Sequence, residues 1–332
     1  MHATAAGTAR YQSRFPRLRE NAFFRDAQGL CVSSLGIGTY LGKADDSTDG
    51  AYTGALLAAA EHGINCFDTA INYRLQRSER AMGAALRQLA RDEIVVATKA
   101  GFLTPGAVPS SLRPEDVAGG MHSMAPDFLA DQVERSLANL GVDTLDVFYL
   151  HNPETQLGFL TPAEFDTRIA RAFDRLEQLA AQGKIRWYGT ATWDGYRKHG
   201  ALSLPRMAGI AERVGGAQHR FRFVQLPFNL AMVEAYVDRP ENVLECAARL
   251  GITVVASASL LQGRVIGQMP DTVAALLPGL GTPAQRAIQF ARSTPGITVA
   301  LAGMSRREHV LENLGVSRVA PVPRAQYQRL YQ

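Results

Sequence analysis

The chain has 332 residues, 46% of them hydrophobic and 20% charged, with a formal net charge of +4. That balance excludes a disordered or collagenous chain, and the scattered Lys and Arg leave no footprint for nucleic acid. Cys31, Cys66 and Cys246 lack any CxxC spacing, which argues against a disulfide framework or a metal site and fits a reducing compartment. The N-terminus "MHATAAGTARYQSRF" lacks the apolar core of a secretory signal, and no apolar run is long enough to span a bilayer. A cytoplasmic location with no membrane partner is expected.

In chain order, residues 1–20, with the basic stretch "SRFPRLREN" beginning in them, read as a solvated arm; residues 21–332 read as one domain. "NAFFRDAQGLCVSSLG" predicts two short strands around a Gly-containing turn. Eight short apolar runs follow: Ser34–Thr39, Asn65–Thr69, Ile94–Lys99, Leu145–His151, Ile185–Thr190, Phe223–Pro227, Thr253–Ser257 and Val299–Ala302. They show little alternation, as parallel strands covered on both faces do. Helical segments follow most of them, at Tyr52–Glu61, Ser78–Leu89, Asp127–Asn139, Pro162–Ala181, Glu241–Arg249 and Pro283–Arg292. Three of the helix-to-strand junctions carry a Gly, in "AEHGINCF", "AAQGKIRW" and "ARLGITVV", where a left-handed residue lets a helix stop and a strand begin. Eight strand–helix units predict an α/β fold of the (β/α)8 TIM-barrel type, with the N-terminal hairpin closing its floor. A doubly wound sheet would need a reversal of strand order that a sequence does not display. Two connections are long, Gly101–Ala125 and Leu260–Gly281, and both follow strands, on the face where barrels carry their sites.

Three consecutive strands each end in an ionisable residue: Asp68, Lys99 and His151. Adjacent parallel strands lie about 5 Å apart, so these side chains can meet, and Tyr73 lies on the loop just beyond Asp68. Singly, each has an ordinary structural role, as a turn cap, a solvated strand end, a core histidine or surface packing. Together they make a site that can donate a proton to a carbonyl oxygen as it becomes an alkoxide. An ammonium beside a phenol is expected to lower the Tyr73 pKa toward neutrality, and a carboxylate beside the lysine to keep that lysine charged and fixed. No protein group here is redox-active, so reduction requires an external hydride donor. Tyr40, Phe102, Trp193 and Phe228 are candidate walls of a substrate pocket.

From "LGIGTY" to "HVLENL" the sequence resembles the aldo-keto reductases. "FDTAINYR..SERAMGAAL", "ATK" and "LHNP" resemble that family's aspartate–tyrosine, lysine and histidine motifs. The resemblance implies a catalytic tetrad of Asp68, Tyr73, Lys99 and His151, in which the tyrosine is the general acid. It also implies NADPH lying across the barrel mouth and a small carbonyl substrate. The glycines of "GIGTYLG" do not run into a helix, so a Rossmann fingerprint is rejected; Gly38, Thr39 and Tyr40 instead resemble first-strand contacts to the cofactor. Gln225 in "VQLPFN" resembles the glutamine that holds the nicotinamide carboxamide. Leu260, Gln262, Gly263 and Arg264 in "SLLQGRV" resemble the loop over the pyrophosphate. "AGMSRREHVLEN", with Gly303 and His309, resembles the segment gripping the adenosine end; there the resemblance implies Ser305 and Arg306 for a 2′-phosphate, and Glu312 and Asn313 for adenine. Three positions depart from the family. Ala191–Thr192 stands where Ser-Asn is usual, Ser257 where an aromatic often stacks on the nicotinamide, and Arg74 where a Gly commonly follows the tyrosine. The resemblance extends to the potassium-channel beta subunits, so a cofactor-sensing protein with little turnover is the alternative. A lyase or hydrolase using Lys99 as a Schiff-base amine is disfavoured by Asp68.

Overall fold

The computed structural model describes residues 1–198, 201–238 and 241–331. The first twenty residues are not a solvated arm. They form α1 (Ala5–Ser13) and α2 (Pro16–Glu20), with Thr4 capping α1 through a bond from the Gly7 amide. Ala3 and Tyr11 are buried, and the Tyr11 hydroxyl donates to the Ala60 carbonyl at 2.6 Å. Of that basic stretch, Arg14 pairs with Glu93, beside Arg10 on Asp92 and Glu93, while Arg17 and Arg19 are exposed.

The predicted hairpin is β1 (Phe24–Ala27) and β2 (Leu30–Ser33), antiparallel around Gln28–Gly29. Next come β3 (Leu35–Gly38), α3 (Asp46–Glu61), β4 (Cys66–Asp68), α4 (Arg77–Leu86) and β5 (Val95–Ala100). The long connection after β5 carries its own two-residue hairpin, β6 (Val117–Ala118) and β7 (His122–Ser123), before α5 (Pro126–Leu140). The chain continues through β8 (Leu145–His151), α6 (Pro162–Ala181), β9 (Ile185–Ala191), α7 (Leu204–Gly215) and β10 (Phe221–Pro227). It then runs through the short helices α8 (Glu234–Val237) and α9 (Val243–Arg249) to β11 (Thr253–Ser257). The last elements are α10 (Asp271–Ala275), α11 (Pro283–Ser293), β12 (Ile297–Gly303), α12 (Arg307–Asn313) and α13 (Arg324–Gln328).

Strands β3, β4, β5, β8, β9, β10, β11 and β12 pair in parallel in that order, and β12 closes back onto β3. This is the (β/α)8 barrel. Its apolar residues divide into two clusters. One lies between strands and helices; the other fills the barrel interior with Cys66, Val95, Val147, Trp187, Phe223 and Val255. Ala27, Leu30 and Val32 of the hairpin belong to the interior cluster, so the hairpin closes the floor. The three junction glycines have the positive φ expected of them: Gly63 102°, Gly183 76° and Gly251 65°. Helix α7 escaped the sequence reading because Pro205 and Gly209 interrupt its pattern; Pro205 falls in the first turn, beside a Ser203 cap. Among the described residues, no helix is long and apolar enough to cross a membrane.

Candidate active site

With the floor closed, the open end of the barrel is where the strands finish. A cavity of about 540 Å³ opens there. Neighbouring strands put Asp68, Lys99 and His151 into it, and the loop after β4 adds Tyr73.

Lys99 is buried, and its ammonium donates to Asp68 Oδ1 at 2.6 Å and to the Thr69 carbonyl at 2.8 Å. The other Asp68 oxygen accepts from Gln225 Nε2 at 2.7 Å. The carboxylate is therefore held from both sides, one of them across the barrel. Burial pulls the Lys99 pKa below its ordinary value, and Asp68 opposes that shift.

Tyr73 packs edge-on to Tyr40 at 4.9 Å and to His151 at 5.8 Å, with Lys99 Nζ 5.0 Å from its ring centre. The expected fall in the phenol pKa is reversed. Burial raises it well above 10, and Asp68 and Tyr40 add to the rise. The phenol therefore stays protonated at neutral pH.

The loop bearing Tyr73 is unusual. Arg74, Leu75 and Gln76 are consecutively left-handed, with φ of 50°, 56° and 70°. Such backbone costs about 1–3 kcal/mol per residue and persists only when its surroundings enforce it. Arg74 supplies the enforcement: its guanidinium donates to the Lys43 carbonyl at 2.7 Å, pairs with Asp49 and lies 5.4 Å from the Tyr52 ring centre. Where the family commonly has a glycine, this chain has a side chain that ties the turn down.

Burial, Lys99 and His122 together push His151 well below 6.5, so its imidazole is neutral. Nδ1 is buried without a hydrogen-bond partner. A proton there would be a buried unsatisfied donor, so the ring proton belongs on Nε2, free to meet a ligand oxygen. The backbone is held as well, since His122 on β7 contacts the His151 carbonyl through Nε2 at 2.7 Å and Phe102 packs edge-on to both imidazoles. His122 was not anticipated; nothing in "GGMHSM" signals a contact made only when the loop folds back. With His151 neutral, its ring protons should show no titration near pH 6.5 by NMR. An inflection there that His151→Gln removes would contradict this assignment.

Gly38, Thr39, Tyr40, Thr192, Gln225, Ser257, Leu260, Gln262, Gly263 and Gly303 all line the cavity. Arg264, Ser305, Arg306, His309, Glu312 and Asn313 do not. Arg264 is exposed just past the lining loop. Ser305 and Arg306 follow the end of β12, with Arg306 exposed at the start of α12 and donating to His309 at 2.9 Å. Glu312 is exposed and Asn313 buried near the far end of α12. Of the candidate walls, Tyr40, Phe102 and Trp193 border the cavity. Phe228 does not: it is fully buried and stacks on Phe290 of α11 at 5.9 Å, outside the barrel. Asn72, Asn152 and Leu41 also line the cavity and were missed, although Asn72 and Asn152 sit beside Tyr73 and His151 in the quoted motifs.

Residues 34–332 match the profile of the Aldo/keto reductase family. Among characterised relatives, D-threo-aldose 1-dehydrogenase from Pseudomonas sp is 27% identical over 319 residues, covering 86% of this chain and 90% of that protein. A protein named as a voltage-gated potassium channel subunit beta in Schizosaccharomyces pombe is 24% identical, covering 93% and 90%. Among solved structures, an aldo/keto reductase from Klebsiella pneumoniae in complex with NADP and acetate superposes with a TM-score of 0.67. Its identity is 22%, and the match covers 92% of this chain and 93% of that one.

Proposed function

The chain belongs to the Aldo/keto reductase family, and from that premise we propose that it reduces a small aldehyde or ketone to the alcohol, with NADPH as the hydride donor. The observation that carries this reading is the meeting of Tyr73, His151 and the Asp68–Lys99 pair in one cavity, with phenol and imidazole both neutral. His151 Nε2–H binds and orients the carbonyl oxygen. Tyr73 then passes its proton to that oxygen as the bond reduces. The Lys99 ammonium offsets the charge left on the phenolate, and Asp68, braced by Gln225, keeps Lys99 in place. The dinucleotide, when bound, supplies the hydride.

The residues present fit such a cofactor. Gln225 uses its amide nitrogen on Asp68, while its Oε1 makes no hydrogen bond among the described residues and can accept from a carboxamide. Thr192 and Ser257 flank the same cavity, and the Leu260–Gly263 turn borders it. Arg306 has no carboxylate partner among the described residues, which leaves a guanidinium for a phosphate dianion. Arg306→Ala should weaken NADPH by about 1.5–3 kcal/mol and leave NADH nearly unchanged. If titration of cofactor fluorescence finds both affinities unaltered, the 2′-phosphate is held elsewhere, with Arg307 and Arg264 the next candidates.

Likeness to the channel subunit supports a second reading, a cofactor sensor with little turnover. Turnover separates the two: NADPH oxidation on a panel of small aldehydes and ketones is expected. NADPH binding without oxidation by any of them would favour the sensor. Schiff-base chemistry at Lys99 is disfavoured, because the amine is engaged by both Asp68 and the Thr69 carbonyl.

A further inference from the structure

Three residues past His151, the loop after β8 carries a carboxylate that the proposed reaction does not use. Glu154 Oε1 accepts from three successive backbone amides on the loop after β9: Trp193 at 2.7 Å, Asp194 at 3.0 Å and Gly195 at 3.2 Å. Converging amides of this kind form an anion-binding nest, filled here by the protein's own side chain. Oε2 is buried with no hydrogen-bond partner, and no cation pairs with Glu154 among the described residues. A half-satisfied carboxylate is a costly way to hold an ordinary turn.

What it holds borders the cavity on both sides. Asn152, two residues before Glu154, lines the cavity with left-handed backbone at φ 51°. Thr192 and Trp193 line it from the gripped loop, and Trp193 is 40% exposed. That loop is pinned elsewhere too. The Tyr196 and Thr190 hydroxyls are 2.8 Å apart, and a Cβ added to Gly195 would lie 2.7 Å from Leu202 and 2.9 Å from Thr192. The free segment between these anchors is short, and Glu154 takes up its amides.

We infer that Glu154 is a positioning residue that fixes the Trp193 loop as the substrate-side wall of the cavity, and so sets affinity for the carbonyl rather than the rate of its reduction. The inference rests on the functional reading above. Glu154 touches neither substrate nor cofactor in this account; it acts through Trp193.

The chain holds two tryptophans, so Trp193 can be watched alone in a Trp187→Phe background. Without any ligand, Glu154→Ala should raise the acrylamide quenching of Trp193 about two-fold or more, whereas Glu154→Gln, which keeps an acceptor for the nest, should stay near wild type. In turnover, Glu154→Ala should raise KM for a small aldehyde about ten-fold, with kcat within about three-fold and NADPH affinity unchanged. In a Trp193→Ala background the same substitution should change KM by less than about two-fold, because its route of action is gone. A folded Glu154→Ala protein with unchanged quenching overturns the inference, as does an undiminished KM effect without Trp193. If Glu154→Ala fails to fold, Glu154→Asp, one carbon shorter, is read the same way. If the wild-type protein reduces no carbonyl at all, the functional reading fails, while the quenching series still decides whether Glu154 positions the loop.

Discussion

Tyr73→Phe should bind NADPH as the wild type does and reduce a small aldehyde about 10²-fold more slowly or worse. The substitution removes one atom group and little else. The ring keeps its packing against Tyr40 and His151 and its place beneath Lys99. The hydroxyl makes no hydrogen bond among the described residues, so its loss orphans no partner and the melting temperature should barely move. A fall in rate then reports the missing proton donor rather than a loosened fold. The pH profile adds a second check. Burial holds the Tyr73 pKa well above 10, so the donor remains protonated across neutral pH and reduction should not fade between pH 6 and pH 8 through loss of the phenol proton.

Lys99→Met should slow reduction by a comparable factor and should also destabilise the protein. Lys99 and Asp68 are both buried, and the pair is 2.6 Å apart. Removing the ammonium leaves Asp68 with Gln225 as its side-chain partner. Breaking one side of such a pair typically costs about 3–5 kcal/mol, because a charge stays behind without its counterion. Denaturant unfolding would measure that loss. Adding Asp68→Asn removes the stranded charge, so the double variant should regain most of the stability and none of the rate. Asp68→Asn alone should be milder in rate, since Lys99 keeps its bond to the Thr69 carbonyl. Wild-type turnover in Lys99→Met would detach the lysine from the chemistry and leave it a structural role only.

How much of this was legible in the sequence depends on how far apart the interacting residues lie. Asp68, Lys99 and His151 stand out because each interrupts an apolar run at its end, and the barrel converts that pattern into adjacency. Phe228 was misread although the information was present. Side chains alternate along β10 (Phe221–Pro227), with Leu226 outward and Gln225 facing the cavity, and Phe228, the next residue, keeps the outward side. Parity along the strand would have placed Phe228 against a helix. The N-terminal segment was illegible for a different reason: Arg10 and Arg14 look solvated until Asp92 and Glu93, some eighty residues away, are brought against them. The same holds for Gln225 on Asp68, His122 on His151 and Glu154 on the Trp193 loop, bonds that no local pattern encodes. The direction of the Tyr73 pKa was missed because a sequence reveals a neighbouring charge more readily than it reveals burial.

Tyr73 is expected to hand its proton to a carbonyl oxygen while NADPH delivers the hydride. Single-turnover oxidation of bound NADPH by a small aldehyde, followed in wild type and Tyr73→Phe with cofactor affinity measured alongside, tests it most directly. NADPH affinity should be equal in the two proteins, with hydride transfer slowed by about 10²-fold or more in Tyr73→Phe. Transfer at near-wild-type rate in that variant would contradict it, since the proton would then come from another group or from water.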